Sequence, residues 1–128
     1  MISLGQYSPT TEVSQEVLGT SVSLVGKTAL TVMAIANGLA SGTKSVVYFQ
    51  GAAGNVWYDL GSLSFTTGSG TKDLTIAAQA VSSPNSRVSA AVSDDIAVQG
   101  WVPDQVRAII TTTGTYTAGS VTAYYKAY

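Results

Sequence analysis

An antiparallel β-sandwich of about eight short strands, jelly-roll or immunoglobulin-like and with little helix, is the fold this sequence predicts. Three observations predict it. Apolar and polar residues alternate over short runs at 20–25, 62–66, 72–78, 105–113 and 120–128, the period of half-buried strands. Gly, Asn and Ser clusters separate the runs every 8 to 12 residues, the spacing of sandwich turns. Finally, 32 of the 128 residues are Ser or Thr and only 10% are charged, against about 25% in an average globular chain. At this length the chain is expected to form one domain over 10–128, preceded by an arm at 1–9.

Met1 to Pro9 shows no period and ends at a Ser-Pro step, so it is assigned to the arm. Thr10 to Leu18 is extended, with Val13 and Val17 among polar neighbours. Thr20 to Val25 alternates and ends at a Gly26-Lys27 turn. Thr28 to Ala36 is apolar on both faces toward its end, which predicts a central strand buried on two sides; residues 37–43 form a Gly/Ser-rich loop.

The chain is organised around Ser45 to Leu60. Two β-prone runs, Val46 to Phe49 and Val56 to Tyr58, flank Gly51 to Asn55, and this pattern predicts a hairpin. Trp57 is its largest apolar residue and the expected core anchor, with Phe49 and Phe65 beside it. Ser62 to Thr66 and Lys72 to Ala78 are strands around the turn Thr67-Gly-Ser-Gly70. Residues 79–86 hold Ser-Ser-Pro-Asn-Ser and are a loop. From Arg87 to Gln99 a strand is favoured over a short helix capped at Asn85 or Ser86. Pro103 makes 100–103 an irregular connection; Gln105 to Thr113 and Ser120 to Tyr128 are the last two strands.

Composition narrows the chemistry. With no His and no Cys, the commonest general base, nucleophile and metal ligands are absent. Asp59 and Asp73 are the one strand-borne carboxylate pair that a glycosidase could use, but turn and strand-end carboxylates in water are the expected state of both. Asp94-Asp95 lacks the ligand ladder of a Ca²⁺ loop and is expected to be an exposed turn or cap. No phosphate loop, dinucleotide fingerprint or Gly-x-Ser-x-Gly motif is present. No cofactor or metal is expected, and no enzyme activity. A net charge of −1 with scattered Lys and Arg argues against nucleic acid. No apolar run is long enough to span a membrane, and the N-terminus lacks the marks of a signal peptide, so the chain is expected either to be made and kept in a cytoplasm or to be assembled there into something larger.

Trp57, Tyr58, Trp101, Tyr116, Tyr124, Tyr125 and Tyr128 offer flat faces for sugar rings, although core and subunit contacts use the same residue types. Met1, Ile2, Leu4, Tyr7, Trp101, Tyr124, Tyr125 and Tyr128 are the candidate contacts with other subunits or a shell, because chain ends fray unless something ties them down and aromatics such as Trp101 are frequent at interfaces.

Ser45-Val-Val-Tyr-Phe-Gln-Gly51, Gly54-Asn-Val-Trp-Tyr-Asp-Leu-Gly61, Gln105-Val-Arg-Ala-Ile-Ile110 and Gly119-Ser-Val-Thr-Ala-Tyr-Tyr125 together resemble a pattern of small β-sandwich virion proteins of tailed bacteriophages. The likeness covers residues 43–128 with a gap over 79–100. It implies a non-enzymatic capsid decoration (cement) protein in the virion, assembled in the host cytoplasm. Its implied partners are the major capsid protein or other virion proteins and copies of itself, with a trimer favoured. The alternative it implies is a receptor- or carbohydrate-binding domain of a tail or fibre.

Overall fold

The computed structural model describes residues 1–8, 11–77 and 88–128. Among the described residues eight strands make up the fold: β1 (Ile2–Tyr7), β2 (Glu16–Ser23), β3 (Ala29–Ala40), β4 (Lys44–Ala53), β5 (Val56–Phe65), β6 (Gly68–Ala77), β7 (Gln105–Thr113) and β8 (Ala118–Ala127). They form two antiparallel sheets of four, ordered β1-β8-β3-β6 and β2-β7-β4-β5. The pairs β1–β8, β2–β7, β3–β6 and β4–β5 nest inside one another, which is a long hairpin rolled up on itself. That is the jelly-roll order; an immunoglobulin-type sandwich would place β1 beside β2 in one sheet.

The period-2 pattern explains which face each strand buries. From β3, Leu30, Val32, Ala34 and Ala36 point inward, and Val121 and Ala123 of β8 join them. The facing sheet contributes Val47, Phe49, Tyr58, Leu60, Leu63, Val106, Ala108 and Ile110. Strand β3 is central as expected, but its second face is only half-buried at Thr31, Met33 and Ile35. The expected separate strand at 62–66 is the second half of β5, which runs unbroken from the hairpin; a register shift between Phe49 and Gln50 absorbs the irregularity.

The largest departure from expectation is at the chain ends. Residues 2–7 are an edge strand rather than an arm, with Ile2 opposite Tyr125 and Tyr7 opposite Val121. Leu4 and Tyr7 are both 3% exposed. The C-terminal strand lies between β1 and β3, and the Tyr128 amide donates to the Ala29 carbonyl. Both chain ends are therefore ordered by pairing within this chain. Residues 88–99 are also not a strand. They are irregular apart from a bridge between Ala97 and Gly61, with positive φ at Ala90 and Asp95. The expected loop at 79–86 and the proposed cap at Asn85 or Ser86 lie outside the described residues.

Other backbone lies along two of the sandwich's edges and covers part of the ladder groups that invite unwanted pairing. Beside β5, the Val98 amide donates to the Leu60 carbonyl and the Ser62 amide to the Ile96 carbonyl. On the other side β1 and β2 meet backbone to backbone at Gly5 and Gly19. A Cβ on Gly5 would lie 2.6 Å from the Gly19 nitrogen, and one on Gly19 would sit on the Leu4 carbonyl oxygen. Gly19 also has a φ of 60°, where an L side chain is strained. Gly19→Ala is expected to lower stability by about 2–4 kcal/mol, combining strain and overpacking. Gly26→Ala, at φ 83° with nothing within 4 Å, isolates the strain at about 1 kcal/mol. Equal melting shifts for the two variants would contradict the close seam.

Candidate functional site

The polar groups most deliberately placed in the molecule stand in one row across the outer face of the second sheet. Register puts Arg107 of β7 opposite Gln50 of β4, and Gln50 opposite Asp59 of β5. Asp59 is 1% exposed and Gln50 fully buried, so each needs its hydrogen bonds made within the protein. The Asp59 carboxylate accepts from the backbone N–H groups of Ala90 (2.7 Å), Ala91 (2.9 Å) and Val92 (2.9 Å). It also accepts from Gln50 Nε2 at 3.1 Å. Three consecutive amides converging on one carboxylate form a nest, made possible by the left-handed turn at Ala90 (φ 54°). A carboxylate thus replaces the ladder that residues 88–92 lack.

Gln50 is oriented by the same network. Its Nε2 donates to Asp59 and to Ser89 Oγ (3.1 Å), which turns Oε1 toward β7. There it accepts from Arg107 Nε at 3.1 Å and from Nη2 at 3.0 Å. The guanidinium lies over the Trp57 ring, 4.1 Å from its centroid. In the register Ala52 separates Gln105 of β7 from Trp57 of β5, and its small side chain leaves the arginine room to cross. Desolvation by burial lowers the Arg107 pKa from its ordinary value.

Trp57 is therefore not at the centre of the core. It is half-buried, because the β5 pleat turns Tyr58 and Leu60 inward and Trp57 and Asp59 out. Tyr58, 4% exposed, is the core aromatic, while Phe49 and Phe65 are buried as expected. Tyr58→Ala is expected to cost about 3–5 kcal/mol and Trp57→Ala about 1–2 kcal/mol, the scale of a partly buried cation–π contact. Chemical unfolding that ranks them the other way would return Trp57 to the core. Trp101, 47% exposed, meets Tyr58 edge-on at 5.7 Å between centroids.

The other expected contacts divide. Leu4 and Tyr7 are in the core and Tyr124 and Tyr125 are half-buried, whereas Met1, Ile2 and Tyr128 are exposed. Met1, Ile2 and Tyr125 line a shallow recess of about 330 Å³ together with Lys27 and Lys126.

Asp59 and Asp73 do not face each other. Asp73 points outward from β6 in one sheet, and Asp59 lies on the outer side of the other, beneath residues 90–92. Asp94 pairs with Lys44. Asp95 accepts from the Ser64 amide and hydroxyl, both at 3.0 Å, and from Lys72 at 3.1 Å. Partial burial pushes the Asp95 pKa up, but these donors outweigh it and hold the carboxyl below the usual range. Among the described residues no group of three or more acidic side chains is placed to hold a metal ion.

The outer face of the first sheet is the opposite kind of surface. Its rows run Lys126–Thr31–Thr75, then Ser3–Tyr124–Met33–Asp73, then Gln6–Thr122–Ile35–Thr71. Among the described residues its charges are one lysine and one aspartate; hydroxyls, Gln6, Met33, Ile35 and Tyr124 fill the rest. No family model, curated protein or solved structure matches the chain. Sequence reasoning missed Gln50 and Arg107. The available signal was a glutamine ending a β-prone run and an arginine alternating with Val106 and Ala108.

Proposed function

We propose that the protein is a non-enzymatic structural subunit of a tailed-bacteriophage virion, a capsid decoration (cement) protein that binds the shell as a homo-oligomer. The observation that carries this reading is the outer face of the first sheet, which is hydroxyl-rich and, among the described residues, charged only at Lys126 and Asp73. Such a face can be covered by another protein without the desolvation penalty of many ions. The jelly-roll order supports the reading, since viral capsid domains share that architecture, as does the motif likeness over 43–128. The carboxylates support it too. Asp59 has four donors, and Asp94 and Asp95 are tied to lysines.

A glycan-binding tip is the second reading. Lectin domains also use this architecture, and the 47% exposure of Trp101 favours it.

Deleting the coding sequence from the phage genome tests the proposal. Particles are expected to form but to lose infectivity faster on heating, and the purified wild-type virion is expected to contain the protein in many copies. Absence of the protein from purified virions sinks the virion reading. Its presence only in tails, with glycan binding lost in Trp101→Ala, selects the second reading.

A further inference from the structure

We propose that Arg107, held on the Trp57 ring by Gln50, anchors a docking surface that receives the carboxylate of an Asp or Glu side chain from a partner protein. The inference rests on the docking role proposed above and names the partner's chemistry. Of the guanidinium N–H groups, Nε–H and one on Nη2 go to Gln50 Oε1. Both hydrogens on Nη1 and the second on Nη2 have no acceptor among the described residues.

Among the described residues the positive charge has no carboxylate partner either. Lys44 and Lys72 each reach a carboxylate, but the acid nearest to Arg107 in the row, Asp59, is saturated by Gln50 and three amides. Gln50 stands between the two charges as a neutral spacer. It fixes the arginine without neutralising it, and the Trp57 ring supports the guanidinium plane.

A rigid, partly desolvated guanidinium fork is suited to a planar carboxylate. Arg and Trp together are also the residue types that carry most energy in protein interfaces. A protein side chain is favoured over an acidic sugar because Arg107 already occupies one face of Trp57, the ring on which a sugar would stack.

The test uses the ¹⁵N-labelled full chain titrated with N-acetylglutamate amide, and with N-acetylglutamine amide as the neutral isostere. The Arg107 Nε–H and Trp57 indole resonances are expected to shift saturably with the acid, on the order of 10 mM, and not with the isostere. Arg107→Gln should abolish the shifts. Arg107→Lys, which keeps the charge but loses the fork, should weaken them about tenfold.

Equal shifts with both compounds, or undiminished shifts in Arg107→Gln, overturn the site. Glucuronate binding at least tenfold tighter than the glutamate probe would overturn the protein-side-chain assignment in favour of an acidic sugar. No shell is present in this experiment. Its failure leaves the decoration reading intact, and failure of the phage deletion leaves these titrations unchanged.

Discussion

Deleting residues 1–7 is expected to abolish cooperative folding rather than release an arm. Strand β1 supplies Leu4 and Tyr7, each 3% exposed in the core, and replacing a single buried residue of that size by alanine costs about 2–5 kcal/mol. Two such losses approach the roughly 5–15 kcal/mol that holds a whole domain together. The deletion also removes the β1–β8 ladder and the backbone seam of Gly5 against Gly19. Strand β8 would become a bare sheet edge, open to pairing with other chains. Thermal melting followed by circular dichroism should show a sharp transition for the full chain and none, or aggregation, for the deletion. Removing only Met1, which is 52% exposed, should leave the transition in place. A deletion variant that melts at the parent temperature would show that residues 1–7 are the dispensable arm their sequence suggests.

That contrast marks what local pattern reveals. The hairpin around Gly54-Asn55 and the strands at 72–77, 105–113 and 120–127 were legible because alternation and turn residues are short-range signals. Ile2–Tyr7 was not, because its burial alternates imperfectly. The register shifts between Ser3 and Gly5, so Leu4 and Tyr7, three residues apart, face the same side. Its strand character comes from β8, more than a hundred residues away. Trp57 failed for a different reason. Size and hydrophobicity nominated it for the core, but the β5 pleat admits either Trp57 or Tyr58, and the inward position goes to Tyr58. Residues 88–92 alternate weakly as a strand would, yet their amides are claimed by Asp59, a long-range partner that no window of sequence contains. The candidate site shares this property. Arg107, Gln50 and Asp59 come from three strands, and only the register of β7, β4 and β5 makes them one row.

Asp59 is the residue on which that row depends, and Asp59→Ala is expected to be the most damaging single substitution on the outer face of its sheet. The change removes the acceptor of four hydrogen bonds at once: three from Ala90, Ala91 and Val92, and one from Gln50. Each buried donor left unsatisfied costs about 1–3 kcal/mol. The amides of 90–92 belong to a surface segment and can recover part of this by turning to water. Gln50, with no exposure at all, cannot. A net loss of about 3–5 kcal/mol follows, the range found when one partner of a buried charged network is deleted. That loss corresponds to a melting shift of roughly 10–20 °C for a domain of this size. Asp59→Asn keeps the shape and one acceptor oxygen but points an NH₂ at the converging amides, so it should recover less than half of the loss. Hydrogen exchange distinguishes this mechanism from simple core damage. In Asp59→Ala the amides of residues 90–92 should lose protection at temperatures where those of β3 and β8 retain theirs. Because Gln50 loses one of the two acceptors that orient it, the Arg107 Nε–H resonance should broaden as well. If the 90–92 amides stay protected in Asp59→Ala, the segment is held by something other than the carboxylate, and the row does not work as described.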